Sequence, residues 1–180
     1  MPRPAIFFDR DGVINVSPGE GYVLSWKDFH FNDGIMQATR LCHDRGYALV
    51  LVTSQQGVGK GLITQGTLDD IHGRMQQGLA AQGPAFDRIE ACTHLSGTCS
   101  CRKPGPEMIH RAATALDLDL SRSWLIGDHD RDIQMAINAG VPHTIRVLSH
   151  HRPGVPATHT IESTAELPAL LKVVLPAAVP

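Results

Sequence analysis

The sequence lacks long apolar runs, a large excess of either charge and a high content of aromatic residues. No apolar stretch approaches the roughly 20 residues that span a bilayer. The short stretch at residues 5–8 is followed at once by Asp9, unlike the core of a signal peptide. Sixteen basic and 18 acidic residues leave a net charge of −2, whereas proteins that bind nucleic acids usually carry a basic excess. These absences predict a cytoplasmic protein that binds neither nucleic acid nor a membrane.

What the sequence does contain is typical of one folded domain. Hydrophobic residues make up 42% of the chain and charged residues 19%, a balance that is common in globular proteins and uncommon in disordered ones. A chain of 180 residues is long enough for a substantial core and has the usual size of a single domain. We expect one monomeric domain over residues 1–180, with a core at about 4–148 and a C-terminal loop and helix at 149–180.

Cysteine is scarce, with four residues, three of which lie within ten positions. Cys92, Cys99 and Cys101 supply three thiolates, and His94 between them supplies an imidazole. This set fits a tetrahedral zinc site that leaves no position for water and is therefore structural. The spacing is not that of common zinc fingers, so free thiols or a chance cluster remain alternatives at this point. Cys42 stands apart and is interpreted as a small buried hydrophobe.

Short apolar runs alternate along the chain with longer amphipathic stretches. The runs predict strands at residues 5–8, 47–52, 89–92, 124–126 and 144–148. The amphipathic stretches predict helices that end at Gly46, near Gln82, at Leu116 and at Gly140, and a closing helix over 164–175. Asp33, Thr64 and Asp130 are predicted to cap helices, and Pro106 suits a first turn. Residues 149–160, rich in Pro and His, are predicted to form a loop.

This alternation predicts an α/β fold with a doubly wound, Rossmann-like parallel sheet covered by helices on both faces. No large cap domain is predicted, because the stretches between the site motifs hold at most a crossover each. Ligands of such folds bind beyond the carboxyl ends of the strands. The residues that directly follow the predicted strands are therefore the candidates for chemistry.

The first strand ends in Asp9-Arg10-Asp11-Gly12. Two carboxylates two residues apart on a chain leaving a strand can point into one small space, where their repulsion favours a hard divalent cation such as Mg²⁺. Gly12 permits the sharp departure that this loop needs. The alternative is a solvated acidic turn.

Three further strand ends carry polar or charged residues. Thr53-Ser54 and the glycines beyond could bind phosphate oxygens with hydroxyl and backbone N–H groups, although such a pair also suits an ordinary turn. Arg102-Lys103 could bind a phosphate or form a solvated basic loop. Asp128 could ligate a metal ion. Together these residues converge where a doubly wound sheet places its ligands.

The order of these motifs resembles that of the haloacid dehalogenase (HAD) superfamily of phosphatases. The four motifs of that superfamily match Asp9-Arg10-Asp11-Gly12, Thr53, Lys103 and Gly127-Asp128-x-x-x-Asp132. Residues 9–15 and the stretch Cys99-Ser100-Cys101-Arg102-Lys103-Pro104 are similar to the heptose-1,7-bisphosphate 7-phosphatase branch, with histidinol-phosphate phosphatases as near relatives. Ser54 and Gln56 depart from the Asn and Ser that are common there.

The resemblance implies a role for each motif residue. Asp9 would be the nucleophile, Asp11 the general acid and base, and Thr53 and Lys103 the groups that hold the phosphate. Mg²⁺ would be held by Asp9, the backbone carbonyl of Asp11 and Asp128, while Asp132 would support Lys103 or the metal waters. Zn²⁺ would be held by Cys92, His94, Cys99 and Cys101. The expected substrate-contacting residues are Ser17, Pro18, Gly19, Glu20, Ser54, Gln55, Gln56 and Arg102.

The expected activity is Mg²⁺-dependent hydrolysis of a phosphomonoester through an aspartyl-phosphate. On the resemblance, the substrate is a small phosphorylated sugar and the reaction removes the 7-phosphate of D-glycero-D-manno-heptose 1,7-bisphosphate. Histidinol-phosphate hydrolysis is the nearest alternative, and a non-catalytic zinc-stabilised binding module is an alternative of another class.

Overall fold

A computed structural model describes residues 1–176 of the chain. Its centre is a six-stranded sheet with the strand order β3-β2-β1-β4-β5-β6. Every neighbouring pair of strands is parallel. The chain winds outward from β1 in one direction through β2 and β3, then returns to β4 and winds outward in the other direction. The topological switch point, where such sheets bind ligands, therefore lies between β1 and β4.

The strands are β1 (Ala5–Phe8), β2 (Ala48–Ser54), β3 (Arg88–Cys92), β4 (Trp124–Gly127), β5 (His143–Val147) and β6 (His159–Ile161). The α-helices are α1 (Ile35–Asp44), α2 (Gln56–Gly59), α3 (Gln65–Ala80), α4 (Glu107–Leu116), α5 (Asp130–Ala139) and α6 (Leu167–Val174). Short 3-10 helices lie at Trp26–Asp28, Leu120–Arg122 and Thr164–Glu166. In the described part of the chain, none of the helices combines the length and apolar character that crossing a bilayer requires.

The core lies on both faces of the sheet. Ile6 and Phe8 face one side together with buried residues of α1, α3 and α6, while Ala5 and Phe7 face the other side together with those of α4 and α5. Full burial of an Ile or Phe side chain stabilises the fold by roughly 1.5–3 kcal/mol relative to an exposed one. The central strands are apolar on both faces for this reason, and only their carboxyl ends are left to polar residues.

The predicted doubly wound α/β architecture is confirmed, as are the five predicted strands within two residues at each end. Thr64 caps α3 as predicted, with its Oγ1 accepting from Thr67 N at 3.1 Å. The predicted closing helix forms as α6. It contains Pro168, which is tolerated because it lies in the first turn, where a backbone N–H has no partner within the helix. The last four residues of the predicted C-terminal segment, 177–180, lie outside the described residues.

Three local predictions are wrong. The residue before α1 is Gly34, with φ 83°, and no side chain of that position caps the helix, so Asp33 is not its cap. His129 caps α5 instead of Asp130, because the Asp130 carboxylate accepts hydrogen bonds from Arg146 and from two backbone N–H groups of a distant loop. The predicted loop at 149–160 contains the start of β6, a short edge strand.

Candidate active site

The switch point is built from two loops that approach each other closely. Asp9 follows β1 and Asp128 follows β4, so both carboxylates leave the sheet at its carboxyl edge. Gly12 lies in the left-handed region with φ 89°, and a Cβ there would meet Asp128 Oδ2 at 2.4 Å. Gly127 is constrained by space alone, because a Cβ there would lie 2.4 Å from that of Asp132. Both glycines are therefore required for the acidic side chains to come together.

Lys103 lies between two carboxylates. Its Nζ donates to Asp9 Oδ1 at 2.6 Å and to Asp132 Oδ1 at 2.7 Å, and all three side chains are buried. Burial alone would lower the pKa of Lys103, but the charges of Asp132 and Asp9 outweigh it and raise that pKa. The Lys103 charge likewise outweighs burial at Asp132 and lowers its pKa. Lys103 is thus a fixed positive charge beside the end of β1.

Three carboxylates converge at this point. Oxygens of Asp9, Asp128 and Asp132 lie within 4.8 Å of one another. Burial, opposed by Lys103 and reinforced by the two other acids, raises the pKa of Asp9 to about 7. Burial and the neighbouring Asp132 raise the pKa of Asp128 to about 6. A hard divalent cation that prefers oxygen ligands would relieve this crowding of negative charge, so the donor set fits Mg²⁺.

The carboxylate of Asp11 is held apart from this acid group by its own donors. Arg10 binds it through Nε at 3.1 Å and through Nη2 at 2.9 Å. Asn15 Nδ2 donates to Oδ1 at 3.0 Å and Gln55 Nε2 donates to Oδ2 at 2.9 Å. The sequence predicted that the carboxylates of Asp9 and Asp11 share one small space, whereas the acids grouped with Asp9 are Asp128 and Asp132. The predicted metal ligand of Asp11 is its backbone carbonyl oxygen, and that prediction does not depend on where the carboxylate lies.

Buried polar groups from the end of β2 and from Arg102 lie next to the acids. Thr53 is buried at the end of β2 and accepts from Gln55 Nε2 at 2.8 Å. Ser54 Oγ and Arg102 Nη1 are both buried, and neither has a hydrogen-bond partner among the described residues. A buried donor without a partner is costly in a folded protein unless a ligand or water satisfies it. Their position beside the acids suits an anionic ligand.

A cavity of about 330 Å³ opens over these residues. Seven of the eight predicted substrate-contacting residues line it: Ser17, Pro18, Gly19, Glu20, Ser54, Gln56 and Arg102. Gln55, the eighth, is buried and bonded to Asp11 and Thr53. The lining also includes Tyr22, His129, Arg131 and His151, none of which is among the site residues predicted from the sequence. His129 and Arg131 lie inside the Asp128–Asp132 motif, so their position after a strand was the available signal.

The cysteine cluster forms a second site at the end of β3. Cys101 Sγ lies 3.1 Å from Cys92 Sγ, 3.5 Å from Cys99 Sγ and 3.3 Å from His94 Nδ1. Cys92 Sγ lies 3.5 Å from Cys99 Sγ and 3.8 Å from His94 Nδ1. A tetrahedral site with Zn–S bonds of about 2.3 Å has edges of about 3.8 Å, so these separations are close to those of a zinc site. No two of these sulfurs are bonded to each other. The arrangement fits a structural Zn²⁺ ion directly before Arg102 and Lys103.

A Rossmann-like sheet with carboxylates, a hydroxyl and a buried lysine at its switch point defines the protein as a HAD-like phosphatase. The model of the HAD-hydrolase-like family matches residues 100–167. The D-glycero-beta-D-manno-heptose-1,7-bisphosphate 7-phosphatase of Yersinia pestis is 37% identical over 171 residues, which cover 91% of this chain and 88% of that protein. The protein of the same name from Vibrio cholerae is 38% identical over 173 residues, or 92% and 90% of the two chains. The chain belongs to the family of D-glycero-beta-D-manno-heptose-1,7-bisphosphate 7-phosphatases.

A solved structure agrees with this membership. The D,D-heptose 1,7-bisphosphate phosphatase from B. bronchiseptica, crystallised with magnesium and phosphate, superposes with a TM-score of 0.85 at 33% identity. The match covers 94% of this chain and 98% of that one. The presence of magnesium in that complex agrees with the acidic donor set described above.

Proposed function

We propose that the protein removes the 7-phosphate of D-glycero-D-manno-heptose 1,7-bisphosphate in a Mg²⁺-dependent reaction. The observation that carries the proposal is the buried Lys103, which bonds Asp9 in the acid group that reaches the cavity through Asp128. Ser54 and Arg102 line the same cavity, and their Oγ and Nη1 atoms have no hydrogen-bond partner among residues 1–176. Family membership supports the substrate, because the relatives are named for it.

Asp9 is the nucleophile in this proposal. One of its carboxylate oxygens forms a bond to phosphorus as the bond from phosphorus to the sugar oxygen breaks, and Asp11 gives that oxygen a proton. Asp11 then takes a proton from water as the water oxygen attacks the phosphorus of the aspartyl-phosphate. The bond between phosphorus and the Asp9 oxygen then breaks and inorganic phosphate leaves, so that Asp9 is again a carboxylate and Asp11 is again protonated, as it was at the start. Thr53 and Lys103 bind the non-bridging phosphate oxygens, where fixed dipoles and charges stabilise the transition state.

The residues proposed to hold Mg²⁺ are Asp9, Asp128 and the backbone carbonyl of Asp11, with Asp132 supporting Lys103. When bound, Mg²⁺ supplies charge that offsets the repulsion between the nucleophile and the phosphate. The four ligands proposed for Zn²⁺ are Cys92, His94, Cys99 and Cys101. When bound, Zn²⁺ would fix the loop whose next residues are Arg102 and Lys103, which is a structural role.

Arg102 is proposed to bind a part of the substrate other than the reacting phosphate. Its Nη2 lies 3.4 Å from Gln56 Oε1, and its Nη1 has no protein partner among residues 1–176. A second phosphate group would satisfy that guanidinium with charge-assisted hydrogen bonds. The loop at residues 17–20 lines the same cavity and completes the proposed substrate surface. The protein is proposed to act as a monomeric, cytoplasmic single domain without a cap.

A substrate panel tests the proposal. Phosphate release is measured with Mg²⁺ from D-glycero-β-D-manno-heptose 1,7-bisphosphate and from histidinol phosphate, and ³¹P NMR identifies the phosphate that stays on the sugar. We expect kcat/KM to favour the bisphosphate by at least about 10²-fold, because a site that binds a second phosphate penalises a substrate without one. Equal or better turnover of histidinol phosphate would overturn the substrate. Full activity in EDTA would overturn the role of Mg²⁺.

A further inference from the structure

Arg10 is a charged side chain that is completely buried. A guanidinium has five N–H donors and no acceptor, so a buried one needs several partners that accept. Its Nε and Nη2 are bonded to Asp11, as described above. Its Nη1 lies 3.2 Å from Nε2 of His72, a residue of α3 that is 62 positions away in the sequence.

The direction of this last hydrogen bond follows from chemistry. Because arginine can only donate, Nε2 of His72 must accept, and the ring proton of the neutral imidazole must then lie on Nδ1. Burial and the Arg10 charge lower the pKa of His72 to about 4. His72 is therefore neutral near pH 7 and remains an acceptor.

The contact fixes the plane of the guanidinium at two opposite ends. His72 holds Nη1 from the helix, and the Asp11 carboxyl group holds Nε and Nη2 on the opposite side. The backbone that carries the side chain is fixed as well, because the carbonyl of Arg10 accepts from the N–H groups of Val13, Ile14 and Asn15 at 2.8–3.2 Å. A planar group held in this way presents its Nε and Nη2 edge in one orientation. That edge is the one that meets the carboxylate of Asp11.

We propose that His72 is a positioning residue, which acts through Arg10 to aim the carboxyl group of Asp11 at the leaving oxygen. Asp11 touches the substrate and is catalytic, whereas His72 and Arg10 do not and are not. The inference rests on the proposed function, because it assumes that Asp11 transfers the proton. If it holds, a residue of α3 affects the proton-transfer step, although α3 carries none of the four motifs.

The leaving group provides the test. p-Nitrophenolate leaves without a proton at neutral pH, whereas phenolate, of nearly the same shape, leaves poorly unless an acid protonates it. The ratio of kcat/KM for p-nitrophenyl phosphate to that for phenyl phosphate therefore measures proton transfer in the first chemical step. It does not depend on which sugar phosphate is the natural substrate.

We expect His72→Leu to lower kcat/KM for phenyl phosphate by about tenfold or more, part of the 10²–10⁴-fold that a general acid contributes. For p-nitrophenyl phosphate the change is expected to stay below about threefold, because Asp11 gives no proton there. His72→Gln returns an acceptor oxygen near the position of Nε2 and is expected to recover most of the lost ratio. His72→Asn, with its shorter side chain, is expected not to, and it serves in place of the leucine variant if that one does not fold.

Leu79→Ala is the matched control. Leu79 is buried on the same helix, in its last turn, so the variant loses stability without removing a contact to Arg10. Its substrate ratio is expected to equal that of the unchanged protein. The inference is overturned if His72→Leu affects both phosphates equally or neither, if His72→Gln behaves like His72→Leu, or if Leu79→Ala shifts the ratio as strongly.

Asp11→Asn separates this inference from the proposed function. A loss confined to phenyl phosphate in Asp11→Asn, with no such loss in His72→Leu, would reject only the role of His72. No difference between the two phosphates in Asp11→Asn would reject the acid role of Asp11 and the inference together.

Discussion

Two regions meet at Arg102 and Lys103: the acid cluster of Asp9, Asp128 and Asp132, and the cysteine loop at residues 92–101. The side chains of the two regions are held in place in different ways. In the acid cluster Lys103 is bonded to two carboxylates, of which Asp9 directly follows the buried strand β1 and Asp132 lies in the first turn of α5. In the cysteine loop residues 94–98 are all exposed and belong to neither a helix nor a strand. The sheet can hold like charges together because its strands are rigid, whereas a loop without a core needs a metal ion to fix it.

The first prediction tests the chemistry of the acid cluster and has the largest expected effect. Asp9→Asn should lower kcat by on the order of 10⁴-fold or more, because removing a nucleophile removes the covalent route. The variant should stay folded by circular dichroism and should keep its zinc, since no cysteine is touched. Turnover within about tenfold of the unchanged protein would contradict the assignment of Asp9.

The second prediction concerns the lysine that joins the two regions. Lys103→Met should lower kcat/KM by about 10²–10³-fold, because it removes a fixed charge aimed at the transferred phosphate. It should also lower the melting temperature, since Asp9 and Asp132 would remain buried without their partner.

Lys172→Met, which removes an exposed lysine from α6, is the control for loss of a positive charge. We expect it to leave kcat/KM within about twofold of the starting value, as is usual for surface changes. A similar loss of activity in both lysine variants would contradict the specific role of Lys103.

The third prediction concerns the cysteine loop and has the smallest effect on catalysis. Cys101→Ser should lower the zinc content measured by mass spectrometry and the melting temperature, because the ion loses a thiolate. Activity should fall by about tenfold, as for other groups that orient a catalytic residue.

Cys42→Ala is the matched control, since Cys42 is buried in α1 and lies outside the metal-binding group. We expect it to retain its zinc and its activity. Unchanged zinc in Cys101→Ser, or equal zinc loss in both variants, would show that Cys101 is not a ligand.

The strands, and the reactive residues that follow them along the chain, could be predicted because local sequence patterns determine both. The apolar run of β1 ends at a charged residue, and the glycines after β2 and before β5 mark the turns, so the carboxyl edge could be found from sequence alone. Residues 159–161 form a three-residue edge strand with a single buried apolar residue, Ile161, which leaves too weak a pattern to detect β6. The cap of α5 was missed because Asp130 is bonded to residues 24 and 25 positions further along.

The sequence is sufficient to predict most of the residues that form the acid cluster, but not all of the contacts that they make. Asp9, Lys103 and Asp128 follow separate strands, and topology alone brings them together. That Asp132 joins the acids depends on the first turn of α5, where it also accepts from His129 N at 3.0 Å. The contact between Arg10 and His72 joins a loop to a helix across 62 positions, and no local pattern indicates it.

The most direct test of the central claim is to trap the aspartyl-phosphate. In Asp11→Asn, p-nitrophenyl phosphate should still phosphorylate Asp9, while hydrolysis of the intermediate should be slow because its general base is lost. Borohydride reduces an acyl phosphate to the alcohol, so peptide mass spectrometry should find homoserine at position 9 when Mg²⁺ and substrate are both present. Homoserine at another position, or unmodified Asp9 in a variant that still releases p-nitrophenol in a stoichiometric burst, would contradict the account.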